Sequence, residues 1–377
     1  MKMKVIALAV AGLASGAALA QVAPNNVTLY GIVDMGFGYY SDANAADTKA
    51  KSVIDSGQWK TSRIGFKGTE DLGDGLSASF QAEFKNPGDT GSNLTSRNSF
   101  VGLKSAAVGE IKAGSFGSFH DDLLGAINGA FGFAGVSQPT KVYIETSGSS
   151  ETGDLKNAVA YYSPVWSGFQ VKLGASTHAD TGTDDQTLTG TTSAADGIKG
   201  ATGNERVYTA AVHYTNGPLI AGATYEKNKY QDFYLANSID SGSEWHLAAA
   251  YDFGVVRVNG AYGQTTYAVN QTSDIRDNRK QWMLGASTPI GANGTLAVSY
   301  AHAKLSYNNN ASDDTSSFWG IGYIHALSKR TQLYAAYGDI NQDKDNTYKS
   351  RFEGGTSTKA TDAVYQTAFN VGIRHNF

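Results

Sequence analysis

The connections in this chain alternate in length, short then long, between runs of residues that alternate apolar and polar. Val27, Leu29, Val33, Met35 and Phe37 share one face of the first run, with Thr28, Tyr30 and Asp34 opposite. Ala78, Phe80, Ala82 and Phe84 oppose Ser77, Ser79, Gln81 and Glu83, and Phe169, Val171, Leu173 and Ala175 oppose Gln170, Lys172 and Ser176. A period of two is the signature of strands with one apolar side. Short turns fall at 71–75, 105–109, 164–168, 216–218, 252–254, 289–294 and 328–330. Long polar segments lie near 41–56, 86–96, 117–155, 179–204, 228–243, 268–279, 307–316 and 341–361. Seven turns and eight loops separate sixteen strands. Short connections on one rim and long ones on the other predict an all-β, 16-stranded antiparallel transmembrane β-barrel with short periplasmic turns and long external loops. A soluble sandwich also alternates apolar and polar residues, but nothing in it sorts connections by length.

The last nine residues agree. Phe377, His375, Ile373, Val371 and Phe369 form one face, and Asn376, Arg374, Gly372 and Asn370 the other. Chain ends of soluble domains usually fray, whereas a closing barrel strand is held to the end, lipid on one side and water on the other. The prolines add a separate check: Pro24, Pro87, Pro139, Pro164, Pro218 and Pro289 all fall in loops, turns or strand ends. None removes an N–H donor from mid-strand, where lipid could not replace it.

At the other end, Lys2 and Lys4 precede an apolar stretch and the exit Ala18-Leu19-Ala20, which predicts a cleavable export signal over 1–20. The barrel domain is then 21–377. Beyond residue 20 no apolar run approaches the length of a helical span. Without Lys2 and Lys4, 28 basic side chains remain against 34 acidic ones, a net charge of −6 that is too mild to imply a nucleic-acid partner. The chain has no cysteine, so a disulfide framework, a thiolate metal site and a thiol nucleophile are all excluded.

Several blocks resemble the general diffusion porins of β-proteobacteria. They are Asn26-Val27-Thr28-Leu29-Tyr30-Gly31-Ile32-Val33-Asp34, the stretch Ser62-Arg63-Ile64-Gly65-Phe66-Lys67-Gly68-Thr69-Glu70-Asp71, Ser96-Arg97-Asn98-Ser99-Phe100-Val101-Gly102-Leu103-Lys104, and the ending Gly372-Ile373-Arg374-His375-Asn376-Phe377. The resemblance implies a homotrimer of barrels, each with its own pore and an infolded third loop. It also implies that Phe377 is read by the outer-membrane assembly machinery, and that the barrel sits in the cell outer membrane among lipid and lipopolysaccharide. Gly31, Ile111 and Ala113 on the early outer wall are candidates for packing against a neighbouring barrel.

A barrel of sixteen strands is too wide for side chains to fill and leaves an aqueous channel. Passive diffusion of small hydrophilic solutes and ions then needs only a narrowest point. The longest loop, 117–155, is the candidate constriction, and Asp121 and Asp122 on it would face cations projecting from the wall. Alternation places Arg63, Lys67, Arg97, Lys112 and Lys172 on the inward side. Arg63 and Arg97 also match the pore-lining arginines of the resembling family; Lys112 and Lys172 read equally as solvated charges. Two positions depart from the family: Ser115 and Ala160 stand where it often has basic residues. Asp34, Glu83, Glu226 and Glu244 also face inward, so charge preference is left open.

Nothing in the sequence asks for a cofactor. The seven histidines, at 120, 178, 213, 246, 302, 325 and 375, have no paired metal-ligand spacing. His120 beside Asp121 and Asp122 is either a cation ligand or an ordinary polar loop residue. No Gly-x-Ser-x-Gly elbow occurs. A solute-specific channel, an outer-membrane barrel enzyme using Ser and His, and a secreted soluble adhesin are the alternatives.

Overall fold

The structure is a computed structural model that describes residues 26–43, 50–86, 88–91, 93–129, 136–143, 154–176, 206–229, 239–269, 276–307, 313–342 and 365–377. The export signal expected over 1–20 lies outside these residues, as do the segment 179–204 and nearly all of 341–361.

Seventeen strand segments make one antiparallel sheet: β1 (Asn26–Ala43), β2 (Lys51–Ser56), β3 (Arg63–Gly73), β4 (Leu76–Lys85), β5 (Thr95–Ser105), β6 (Gly109–Gly117), β7 (Asp154–Tyr162), β8 (Phe169–Ser176), β9 (Arg206–Asn216), β10 (Leu219–Lys229), β11 (Ile239–Asp252), β12 (Arg257–Val269), β13 (Arg276–Ile290), β14 (Gly294–Ser306), β15 (Asp314–Ala326), β16 (Thr331–Gln342) and β17 (Tyr365–Asn376). Segments β2 and β3 pair with successive halves of β1, Met35 to Tyr40 and Asn26 to Ile32. They are two pieces of one wall strand, so the barrel has sixteen staves. Every other strand pairs with its neighbours in sequence, and β17 returns to β1 to close the ring.

All seven predicted short turns join consecutive strands. Closure leaves the sheet without a free first or last strand, which a sheet in lipid requires because hydrocarbon offers no hydrogen bonds. The apolar faces point outward: Val27, Leu29, Val33, Val101, Ile111, Leu173, Leu247, Val298, Val371 and Ile373 are all exposed on the outer wall. Aromatic pairs sit near the short turns, Phe169 on Tyr214 and Tyr251 on Phe253, where rings suit the membrane–water boundary. Among the described residues no helix is long and apolar enough to cross a membrane.

The seam between β17 and β1 ends on a reciprocal pair of backbone bonds. Gly31 N–H donates to Phe377 O, and Phe377 N–H donates to Gly31 O, both at 3.1 Å. A Cβ on Gly31 would lie 2.3 Å from the Phe377 ring, so only glycine leaves room for that aromatic. Gly31 is therefore covered by the chain's own last ring and is not available to a neighbouring barrel.

The third long connection folds inward. Within it, α1 (Phe119–Asn128) and α2 (Thr140–Tyr143) pack on the inner wall, α1 against β9–β12 and α2 against β13–β15. The local sequence explains α1. Ser118 accepts from the Asp121 N–H as N-cap, Asp121 and Asp122 follow in the first turn, and Phe119, Leu123, Leu124 and Ile127 line one buried face. The wall beneath is made of small residues, including Ala248, Ala250, Ala261 and Ala301. A Cβ on Gly222 of β10 would lie 2.7 Å from Leu123. The small inner wall is what lets a helix sit inside the barrel.

Candidate pore constriction

The inward loop is pinned from several strands. Arg257 of β12 donates to the carbonyls of Ala126 and Ile127 at 2.9 and 3.1 Å. It thereby supplies the positive charge that the C-terminal end of α1 lacks. Asn259 donates to Asn128 Oδ1 at 2.8 Å, and Ser299 of β14 donates to the Ser137 carbonyl at 2.7 Å. Arg279 of β13 donates to the carbonyls of Val142 and Tyr143. Beneath the loop, His120 of α1 stacks on His246 of β11 with ring centroids 3.6 Å apart, and the Tyr143 hydroxyl meets His246 Nδ1 at 2.9 Å. Both imidazoles are buried. Burial first, and then His246, push His120 well below the ordinary imidazole value.

The opposite wall is polar and carries the cations. Its centre is Glu83 of β4, 3 % exposed. One carboxylate oxygen accepts from Arg97 Nε at 2.8 Å and from Arg63 Nη1 at 3.4 Å, and the other accepts from the Tyr30 hydroxyl at 3.0 Å. The remaining surface of both guanidinium groups is open to the lumen, with side chains 20 and 27 % exposed. Lys67, inward on β3, lies over the Tyr30 ring at 5.1 Å.

Arg97 gets there by an irregularity. Val101 and Leu103 face outward, and strict alternation from them would send Arg97 into lipid. Between Ala82 paired with Ser99 and Phe84 paired with Ser96, however, two residues of β5 oppose the single Glu83. This bulge turns Arg97 inward, the usual consequence of an extra residue in one strand.

Of the expected wall cations, it is Lys172 that meets the loop acids directly. Arg63 and Arg97 share Glu83, a carboxylate of their own wall, while Asp122 pairs with Lys172 of β8 at 2.8 Å. Asp121 spends its backbone N–H on the Ser118 cap. The physical reason is reach: α1 is held on β9–β12, next to β8 and away from β3–β5. Lys112 is drawn into a local cluster, 3.7 Å from Glu110 and over the rings of Phe100 and Tyr162 at 4.6 and 4.4 Å. Its neighbour across β7 is Ala160, where a wall cation of the resembling family is missing. His120 is not an ordinary polar loop residue; it is buried against His246. Among the described residues no group of three or more His, Cys, Asp or Glu side chains could hold a metal ion.

Sequence reasoning missed α1, although Ser118 followed by Asp121 and the apolar spacing 119, 123, 124, 127 carried it. It also missed the break in the second wall strand at 57–62, signalled only by Gly57.

Residues 7–345 match the family model described as Gram-negative porin. The chain is 33 % identical to outer membrane porin protein 32 of Delftia acidovorans and 31 % identical to an outer membrane porin protein of Bordetella pertussis, over the full length of all three chains. Among solved structures it is similar to an anion-selective porin from Comamonas acidovorans, with TM-score 0.73, 28 % identity, and 94 % of this chain and all of that one covered. The trimer form of OmpT from Vibrio cholerae shares the fold, with TM-score 0.67 at 18 % identity over 94 % of this chain and 99 % of that one.

Proposed function

Because this chain belongs to the Gram-negative porin family and forms a passive channel in the outer membrane, we propose that its pore prefers anions, with Arg63 and Arg97 as the selecting residues. The observation that carries this reading is the sharing of one buried carboxylate, Glu83, by two lumen-facing guanidinium groups. Two cations and one acid leave a net positive wall, and Lys67 adds to it. Fixed charge in a narrow, low-dielectric passage concentrates the counter-ion. The docked loop narrows the lumen from the other side, where Lys172 offsets Asp122. Lys112, close to Glu110, contributes less. The similar porin from Comamonas acidovorans is anion-selective, which supports the same direction.

Diffusion down a gradient needs no reacting group, so no catalytic role is assigned to any histidine or serine. Residues 1–20 act as the export signal and 21–377 as the barrel domain, with 117–155 as the constriction loop. The barrel is a homotrimer in contact with outer-membrane lipid and lipopolysaccharide. Exposed Ile111 and Ala113 on its early outer wall pack against the next copy. Phe377 is the residue read by the assembly machinery, and the same ring caps the seam. Deleting it should sharply lower the yield of folded trimer; an undiminished yield would count against that role.

The test of the preference is a planar bilayer with the native protein in a salt gradient, alongside its mass in mild detergent. The reversal potential should fall on the anion side, and the mass should be that of three chains. A cation-side potential overturns the preference, and a monomeric mass overturns the assembly.

A further inference from the structure

Where the second wall strand breaks, between β2 and β3, the chain folds onto the inner wall over residues 57–62. A break in a barrel stave leaves backbone groups to be satisfied, and one side chain collects most of them. Asp34 of β1 is fully buried. Its carboxylate accepts from the N–H groups of Trp59 and Lys60 at 3.3 and 2.9 Å and from the Tyr334 hydroxyl at 2.7 Å. Its carbonyl accepts from Gly57 N–H at 2.9 Å and from Ser62 Oγ at 3.0 Å, and Ser62 Oγ in turn accepts from its N–H. Trp59 is 1 % exposed and lies 5.2 Å from the Tyr334 ring. Asn370 of β17 donates to the Gln58 carbonyl at 2.9 Å. The insert thus spans β16, β17 and β1 from within, behind the seam that Phe377 covers from outside.

This clamp fixes Lys60. Its N–H is held by Asp34, whose register partner on β17 is Arg374, an inward-facing cation. Three residues further on is Arg63. We propose that the 57–62 insert is a second selectivity element of the pore, with Lys60 as an ion-selecting residue and Asp34 as the residue that positions it. Burial first, and then the guanidinium groups of Arg63, Arg374 and Arg97, hold the Lys60 ammonium down at about 8. The register of Asp34 with Arg374 and the sequence step to Arg63 place Lys60 between the cations of β3 and that of β17. The sign follows from the group: Lys60 is cationic below about 8 and neutral above it, so its contribution fades as pH rises through that value. An arginine in its place stays charged throughout. The inference rests on the channel reading but not on the overall sign of its preference.

The test compares reversal potentials of the native trimer, Lys60→Gln and Lys60→Arg in one salt gradient at about pH 6 and about pH 9.5. At the lower pH the native and Lys60→Arg channels should agree, with Lys60→Gln shifted toward cations by roughly twofold in permeability ratio. At the higher pH the native channel should fall to the Lys60→Gln value while Lys60→Arg keeps its own. A native channel with cation preference in which Lys60→Gln still shifts the potential overturns the anion reading and supports this inference. Identical potentials for native and Lys60→Gln at both pH values overturn the inference. If Lys60→Gln fails to assemble, Lys60→Met takes its place, and identical potentials for that variant and the native channel at both pH values overturn the role of Lys60. Asp34→Asn separates positioning from charge. Loss of the clamp frees Lys60 and moves the midpoint of the pH dependence up toward that of a free lysine, about 10.4. Loss of a nearby negative charge alone moves it down, and a downward or absent shift overturns the positioning role.

Discussion

The two sides of the lumen narrow the same channel by opposite means. On β9–β15 the wall beneath the loop is rich in alanine, and a helix with Leu123, Leu124 and Ile127 on its buried face fills the space as a core would. Neither α1 nor α2 is docked on β1–β5, where buried carboxylates hold charged side chains toward water instead: Glu83 holds Arg63 and Arg97, and Asp34 holds the Lys60 backbone. On the proposed reading, packing sets the width on one side and fixed charge sets the preference on the other. The difference teaches that the two properties are separable by mutation.

The largest effect should come from breaking the packed side. Leu123→Asp places an unpaired charge in a fully buried position, at a cost on the order of 4 kcal/mol to loop docking. The barrel does not depend on that contact, so the trimer should remain heat-modifiable while the loop becomes cleavable by protease in the folded protein. Retained protease resistance would mean that the helix is not held by its apolar face.

Acid should loosen the same side more gently. His120 is held below its ordinary value in the docked loop and returns to that value when released. The docking contribution is therefore complete above about 6.5 and is lost as pH falls below it. The groups facing it are His246 and Tyr143, with Glu244 at 3.5 Å from His246 Nε2 and Arg279 beyond. Each imidazole that gains a proton on release changes the docked-to-released ratio by up to about tenfold per pH unit. Because the wall lies behind α1, release can only move it into the lumen, so single-channel conductance should fall in acid. His120→Phe should remove much of that fall; an unchanged acid response would place its origin elsewhere.

The charged side should respond in sign and barely in fold. Glu83→Gln removes the acid that Arg63 and Arg97 share, and anion preference should rise by roughly two- to threefold while conductance changes little. The shift should shrink at high salt, where screening shortens the field. A move toward cations would mean that the two guanidinium groups need Glu83 to reach the lumen.

How much of this was legible in the sequence follows the same division. The barrel was, because alternation and turn spacing repeat on every stave, and the seven short turns stand where Asp71–Gly75, Asn216–Pro218 and their counterparts predict them. Arg63 follows alternation directly. Arg97 does not: it reaches the lumen only because a bulge opposite Glu83 adds a residue, and a bulge leaves no mark in a period-two reading. The partner of Asp122 was also hidden, because pairing across the lumen depends on which wall the loop docks on. That choice is made by small residues such as Gly222 and Ala248, which look unremarkable one strand at a time. The 57–62 insert was illegible for a related reason, since Asp34 and Tyr334 meet only when the barrel closes.

The central claim is that ion preference resides on the Arg63–Arg97 wall and not on the docked loop. The most direct measurement is the reversal potential of Arg63→Ala plus Arg97→Ala in a salt gradient, beside Asp121→Asn plus Asp122→Asn and the native channel. The account predicts folded, conducting trimers throughout, a large shift toward cations for the arginine pair, and a smaller opposite shift for the aspartate pair. A larger shift from the aspartates, or an unchanged potential when both arginines are gone, would contradict it.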